Sequence, residues 1–371
     1  TGNAQAQSLV QLYEAAKGYD ASFKAAQAQH QANLAKAEQA KALLRPTAGL
    51  GATVSESDYN SQISMVPDAR YGTRNATLSA SQPLFRPANL AGYRQGMKQV
   101  DLAQAQLKAA EQDLIVRVSQ AYFDVLTAQE SLAFVKAQKS AVSEQLAAAK
   151  RNFEVGTSTI TDTREAQARY DLVTAQEIAA DNDLRVKKLA LDQSVGTKNA
   201  QPLALKAGAN LNPAATGDAE TWVQQATEQS PAIEQARTGL EVAQLETEKA
   251  KAGHMPTLDL TASFGATRYR NGNVTSRVDN NIGTVGLSFN VPLYAGHATQ
   301  NRIQETVALE EKARNDLDAA QRTVAQATRT AFFGVQSGLG QVKALEAAEA
   351  SSQSALDANK LGYQVGVRIN I

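Results

Sequence analysis

The side chains of greatest chemical interest lie beside two Val-Gly pairs, Val155-Gly156 and Val365-Gly366. Asp162 follows the first pair, and Tyr363 and Arg368 flank the second. If the two segments are neighbours in the fold, a carboxylate, a phenol and a guanidinium come together. Arginine–carboxylate pairs can be bidentate and can break reversibly. An alternative interpretation is that Asp162 only caps the N-terminus of a following helix.

The sequence holds no arrangement typical of catalysis or of metal binding. It has no cysteine, which excludes disulfides, thiolate zinc sites and cysteine nucleophiles. Its three histidines, His30, His254 and His297, have no ligand spacing between them and fit surface or boundary positions better. No glycine-rich loop is followed by Gly-Lys-Ser or Gly-Lys-Thr. We therefore expect no enzymatic activity, no cofactor and no bound metal.

The composition indicates helices and gives no sign of a charged partner. Lys plus Arg and Asp plus Glu are both 37, so the formal net charge is zero and no nucleic-acid partner is expected. Helix-forming residues dominate and aromatic residues are only 5%, which is typical of a coiled coil. No apolar run is long enough for a transmembrane helix, so any membrane span has to be a closed β-barrel.

The second half of the chain repeats the first with an offset of about 210 residues. Three anchor pairs carry the repeat: Leu44–Thr47 with His254–Thr257, Ala121–Phe123 with Ala331–Phe333, and Phe153–Gly156 with Tyr363–Gly366. Several anchors in one order are a strong signal of duplication, whereas any single one is weak.

Each repeat is predicted to contain helices, a β-hairpin and a long helix. The first repeat, 1–195, has an initial helix, a hairpin at 46–86, a long helix at 88–153, a tip at 154–161 and a helix at 162–195. An inter-repeat loop occupies 196–217. The second repeat, 218–371, has helices at 218–254, a hairpin at 256–294 and a long helix at 296–363 that stops at the tip.

Four strands follow from the alternation of apolar and small polar residues in the two hairpins. Leu258, Leu260, Ala262 and Phe264 alternate with Asp259, Thr261, Ser263 and Gly265, and the other three strands behave similarly. A barrel wall with lipid outside and water inside needs this pattern. Tyrosines and phenylalanines near the strand ends suggest interfacial girdles; they are Tyr59, Tyr71, Phe85, Tyr93, Tyr269 and Tyr294.

Four strands cannot close a barrel, because small barrels need about eight and lipid does not tolerate open sheet edges. Several chains must therefore contribute to one barrel, and physical reasoning alone permits two, three or four copies. The alternation itself also occurs in hairpins of a soluble sandwich.

The long helix of the first repeat keeps one heptad phase without a proline from about Ala88 to Phe153. Of its fourteen heptad positions from Leu107 to Phe153, twelve are apolar, and Glu111 and Lys139 are the two exceptions. Such a helix is roughly 100 Å long, which is too long to be buried in a globular domain. Each hairpin lies between two helices, so both helices leave the sheet from the same side.

Several sequence motifs resemble those of the TolC-like outer-membrane channel family, and the resemblance covers nearly the whole chain. The segment Ser79–Phe85 (SASQPLF) resembles the end of that family's second strand. The segment Gln120–Leu126 (QAYFDVL) resembles its long-helix signature, and Arg151–Asp162 (RNFEVGTSTITD) resembles its periplasmic tip. The similarity is greatest to the type I secretion branch.

The resemblance implies a mainly α chain with a membrane β-barrel portion. It implies a homotrimer in the outer membrane of a Gram-negative bacterium, with a twelve-stranded barrel, four strands per chain, and a periplasmic α-helical coiled-coil tunnel. The implied partners are a periplasmic adaptor, an inner-membrane transporter and outer-membrane lipid. The implied function is a passive exit duct for type I secretion or multidrug efflux, between which the sequence does not decide.

The resemblance also assigns roles to the two tips. Val155, Gly156, Thr157, Val365, Gly366 and Val367 would meet the adaptor's helical hairpin, while Asp162, Tyr363 and Arg368 would hold the periplasmic entrance shut. Family members continue past the second tip with a helix that bears entrance residues, so we expect the second repeat to be truncated at Ile371. A structural or adhesive trimeric coiled-coil surface protein is the main alternative, and a periplasmic adaptor is a further one.

Overall fold

The computed structural model describes residues 6–60, 69–205, 218–271 and 277–364. The elements in chain order are α1 (Leu9–Tyr19), α2 (Ala21–Ala42), β1 (Thr47–Tyr59), β2 (Ala69–Phe85), α3 (Pro87–Glu154), α4 (Ile160–Val195), α5 (Ala219–Gln229), α6 (Pro231–Lys251), β3 (Thr257–Asn271), β4 (Arg277–Asn290) and α7 (Ala298–Gln364). None of the helices within these ranges is both long and apolar enough to cross a membrane.

The chain forms two compact units, and each unit draws on both sequence repeats. One unit comprises residues 1–29, 106–217 and 336–371, and the other comprises 30–105 and 218–335. The long helices α3 and α7 each begin in the second unit and end in the first.

The second unit contains one antiparallel sheet in the order β1-β2-β3-β4. Within the described residues, β1 and β4 each pair with a single neighbour, so the sheet is open at both edges. Leu78 lies opposite Leu50 and Phe264, which places the apolar sets of neighbouring strands on one face. That face is uncovered, since Leu50 is 78% and Val285 is 77% exposed.

A β-bulge at the helix end of β2 changes which face its last residues occupy. The register shifts between Pro83 and Phe85, and Phe85 therefore lies opposite Leu258, which in turn lies opposite Phe289. These aromatic and aliphatic side chains form the last row of the apolar face at this end, as expected for an interfacial girdle. At the other end, the girdle prediction is wrong for Tyr71 and Tyr269. The register places both on the small polar face, because Thr73 pairs with Tyr269 and Ser57 with Tyr71.

The core of the first unit lies between α1, α3 and α4. Its largest fully buried side chains are Leu12, Leu114, Val118, Val125, Leu191 and Val195. Leu114, Val118 and Val125 belong to the heptad series of α3, so the observed packing follows the sequence pattern. The phenol of Tyr122, at the edge of this core, donates a 2.7 Å hydrogen bond to the backbone carbonyl of Leu203.

The sequence suggested one initial helix, but the structure divides it at Asp20. Asp20 has φ −55° and ψ 121°, and its Oδ1 accepts a 2.7 Å bond from the Phe23 backbone N–H at the start of α2. Asp20 is 8% exposed, and its carboxylate accepts hydrogen bonds from both terminal nitrogens of Arg117 at 3.0 and 3.2 Å. The Arg117 guanidinium lowers the pKa of the Asp20 carboxyl. The helix breaks here because the side chain serves as a cap and as an ion-pair partner at once.

Gly196 ends α4 in the left-handed conformation, with φ 72°. A Cβ at this position would clash with the ring of Tyr19, so the tyrosine covers the glycine closely. Both the backbone conformation and the close approach therefore require glycine.

Replacing Gly196 with alanine is expected to destabilise the first unit, because the methyl group meets the Tyr19 ring in a strained backbone. The free energy of unfolding should fall by about 1–3 kcal/mol, measured as a lower thermal midpoint in detergent. Gly18→Ala is the matched control, since Gly18 lies in α1 with open space around it. It should be neutral or stabilising by up to about 1 kcal/mol. Equal midpoints for both variants would contradict the tight contact at Gly196.

Candidate functional site: the tip between α3 and α4

The first half of the tip is a Schellman motif at the end of α3. Gly156 has φ 75°. Its N–H bonds to the Phe153 carbonyl at 3.0 Å, and the N–H of Thr157 bonds to the Asn152 carbonyl at 2.8 Å. These are the two hydrogen bonds that define the motif, and they satisfy carbonyls that a helix end leaves free. The Thr157 hydroxyl adds a 3.1 Å bond to the same Asn152 carbonyl.

The second half of the tip is a capping box at the start of α4. Thr159 is the N-cap, and its hydroxyl accepts a 3.3 Å bond from the backbone N–H of Asp162. Asp162 Oδ2 accepts bonds from the Thr159 N–H at 2.8 Å, the Ser158 hydroxyl at 2.7 Å and the Thr159 hydroxyl at 2.8 Å. These donors, the Thr159 N–H first, lower the pKa of the Asp162 carboxyl. All three bonds fall on Oδ2, and Oδ1 accepts none of them.

The surface of the tip is apolar and open to solvent in the single chain. Val155 is 73% exposed, and Phe153 and Ile160 are also exposed. A Cβ built on Gly156 meets nothing within 4 Å. The tip is therefore a fixed backbone turn that presents small and aliphatic groups outward.

Two ion pairs join α3 to α4. Lys139 Nζ lies 2.7 Å from Glu177 and 5.6 Å from the ring centre of Tyr170, and Lys187 Nζ lies 2.9 Å from Asp124. The hydrogen bond that Lys139 donates to the Glu177 carboxylate raises the pKa of Lys139. Lys139 is one of the two polar heptad positions of α3, so its partner explains the break in the apolar series.

The other polar heptad position, Glu111, also has a partner across the helix interface. Lys17 Nζ lies 2.6 Å from Glu111, and the Tyr13 hydroxyl donates to the same carboxylate at 3.2 Å. The sequence showed that Glu111 and Lys139 interrupt the series but not which residues pair with them. A polar residue inside an apolar heptad series was the available signal.

The structure tests only part of the predicted site. Val155, Gly156, Thr157 and Asp162 lie together in the turn between α3 and α4. Val365, Gly366, Val367 and Arg368 lie outside the described residues, and only the backbone of Tyr363, in the last turn of α7, is described. The predicted meeting of Asp162 with Tyr363 and Arg368 therefore stays a prediction.

Two of the histidines that looked scattered in the sequence are close in the fold. His254 and His297 line one small cavity beside Tyr294, whose hydroxyl lies 3.1 Å from His297 Nδ1. His297 itself has φ 67° immediately before α7.

Comparison with known proteins gives the family directly. Residues 12–197 and 222–370 match the family described as outer membrane efflux protein. Outer membrane protein TolC of Vibrio cholerae is 32% identical over 98% of this chain and 82% of its own length. Proteases secretion protein PrtF of Dickeya chrysanthemi is 29% identical over 100% of this chain and 82% of its own.

Solved structures agree on the fold. The outer membrane protein VceC from Vibrio cholerae superposes with a TM-score of 0.79 at 20% identity, covering 96% of this chain and 86% of that one. An open four-stranded sheet with a bare apolar face, joined to coiled-coil helices, fits a subunit of an outer-membrane channel. The chain belongs to the outer membrane efflux protein family, and the resemblance read from its motifs is confirmed. It is an outer-membrane channel subunit of a Gram-negative bacterium for type I secretion or efflux, not a structural or adhesive coiled coil.

Proposed function

We propose that three copies of this chain close one twelve-stranded barrel and form a passive exit duct from the periplasm to the cell exterior. The observation that supports this proposal is the open four-stranded sheet with its exposed apolar face. Such a sheet needs strands from other chains before it is stable in lipid. Small polar residues on the opposite face suit a water-filled interior. Because α2 and α3 leave the sheet from the same end, they would lie on one side of the membrane, which for an exit duct is the periplasm.

The duct would work with a periplasmic adaptor and an energised inner-membrane transporter, and would itself catalyse no reaction and bind no nucleic acid. A relative named for protease secretion and another named as an efflux protein are both similar to this chain. The proposal therefore covers a protein cargo and a small-molecule cargo.

The adaptor would dock on the turn at Val155, Gly156 and Thr157, and on the matching segment Val365, Gly366 and Val367. The Schellman motif and the capping box fix the backbone of the first turn on both sides. Its exposed Val155 and the open space beside Gly156 leave room for another helical hairpin to approach the backbone.

Replacing Gly156 with leucine should abolish export while leaving channel assembly intact, because the side chain would fill the space at the turn. Gly156→Asn is the matched control, since asparagine tolerates the left-handed conformation at low cost. Thr157→Leu adds bulk without requiring a positive φ and should also impair export. Export is measured as secreted cargo, or as drug susceptibility, at equal channel abundance. Normal export by both leucine variants would overturn the docking assignment.

Asp162, Tyr363 and Arg368 would form the periplasmic gate. An exposed ion pair is worth only about 0–1 kcal/mol, so one link could not hold a duct shut, but threefold symmetry would repeat it. Weak repeated links suit a closed state that a partner can open. Oδ2 of Asp162 already serves the capping box, so Oδ1 is the atom that would receive the guanidinium.

In the full-length channel, Arg368→Ser and Asp162→Asn should each raise the single-channel conductance in a planar bilayer. Asparagine keeps a side-chain oxygen for the cap but loses the charge. The double variant should add little, because both changes remove the same link. Thr159→Ala removes the N-cap hydroxyl and leaves the charge, so it should conduct like the parent. Equal conductance increases in Thr159→Ala and Asp162→Asn would show that the cap, not the charge, matters.

A further inference from the structure

Four arginines whose side chains the structure describes lie on the apolar face of the sheet, near the hairpin turns. They are Arg70, Arg74, Arg268 and Arg270, and all are exposed. Arg74 is an even number of residues from Leu78 along β2. Arg268 and Arg270 are likewise an even number of residues from Phe264 along β3. Successive residues on one side of a strand share a face, so these guanidiniums belong to the face that carries the apolar band.

The arginines begin where the apolar band stops. In β3 the band runs from Leu258 to Ala266, about 26 Å at roughly 3.3 Å per residue. The next residue on that face is Arg268, which lies opposite Arg74 on one side and Asp279 on the other. An apolar band of this height is what a barrel shows to the hydrocarbon layer. The basic residues therefore lie at the level of lipid headgroups.

The arginines are incompletely neutralised by protein carboxylates. Arg70 lies 2.8 Å from Glu56 and 3.2 Å from Asp58, and Arg268 lies 2.9 Å from Asp279. Among the described residues, Arg74 and Arg270 have no carboxylate within ion-pair distance. Arg74 lies directly opposite Arg268. Arg270 lies opposite Gly72, which has no side chain.

Like charges directly opposite each other on a sheet are unfavourable unless an anion lies between them. A phosphate suits the place, because guanidinium groups bind phosphate oxygens in bidentate fashion. The opposite face at the same level carries Tyr71 and Tyr269 instead, so the basic cluster faces outward and does not line the duct.

We propose that Arg74 and Arg270, with Arg268 beside them, bind the phosphate groups of an anionic glycolipid in the outer leaflet of the outer membrane. The proposal rests on the proposed function for its orientation, which puts the hairpin turns on the cell exterior. At the helix end of the same face, the row with Phe85, Leu258 and Phe289 is apolar and aromatic. The two ends of the apolar band therefore differ. The basic end sets the position of the channel along the membrane normal relative to the phosphorylated leaflet.

The test is binding of bis-phosphorylated lipid A to the purified assembled channel in detergent micelles, followed by native mass spectrometry. Each basic residue near an anionic lipid surface contributes about 1 kcal/mol, so Arg74→Gln/Arg270→Gln should weaken binding by about thirtyfold. The matched control is Arg185→Gln/Arg322→Gln, which removes two exposed helix arginines, each paired with an aspartate four residues earlier. The control should bind lipid A like the parent.

Two further arms identify the source of the phosphate. Dephosphorylated lipid A should bind the parent as weakly as bis-phosphorylated lipid A binds the double variant. Inorganic phosphate at the same concentration should not displace lipid A from the parent; displacement would show a small-anion site and overturn the lipid assignment. Unchanged lipid A affinity in Arg74→Gln/Arg270→Gln would also overturn it. Single-channel conductance of the same samples separates the two proposals. If the double variant conducts and its lipid A binding is unchanged, only the lipid site is refuted. If the parent forms no pore, the proposed function is refuted.

Discussion

Lipid offers no hydrogen-bond partners to a backbone, and this constraint governs the rest of the molecule. The described sheet has four strands with β1 and β4 at its edges, so a single copy would leave two rows of unpaired backbone groups in the membrane. Its apolar face is equally unsuited to water, since Leu50 and Val285 are more than three-quarters exposed. The chain therefore has to meet other copies edge to edge. The alternating strands form the apolar face of this sheet, and the bulge places Phe85 on that face.

Polar contacts across helix interfaces carry the specificity that the apolar heptads lack. Alanine-rich seams pack closely but permit several registers. Glu111 with Lys17 and Lys139 with Glu177 each match only one register of the helices involved. Partly exposed ion pairs contribute little stability, so their value lies in selecting one arrangement. The Asp20–Arg117 pair does the same at the point where the first helix is interrupted.

Much of the fold was predictable because its elements follow local periodicity. The strand pattern gave the four strands, and the heptad series gave α3, including its buried Leu114 and Val118. The break at Asp20 was not predictable, because one of its two causes is the ion pair with Arg117, which is distant in sequence. The faces of Tyr71 and Phe85 depend on register and on a bulge, which alternation within one strand does not reveal. At the tip, the Val-Gly pair indicated where α3 ends, whereas the convergence of three donors on one oxygen of Asp162 depends on the folded turn.

The central claim is that three chains share one membrane barrel, and the mass of the assembled particle tests it most directly. Native mass spectrometry of the channel extracted in detergent should give three times the mass of one chain, with no monomer at concentrations where the channel conducts. Loss of detergent should cause aggregation, because the apolar face would meet water. A conducting particle of two or four chains would contradict the trimer. A stable monomer in plain buffer would contradict the shared barrel altogether.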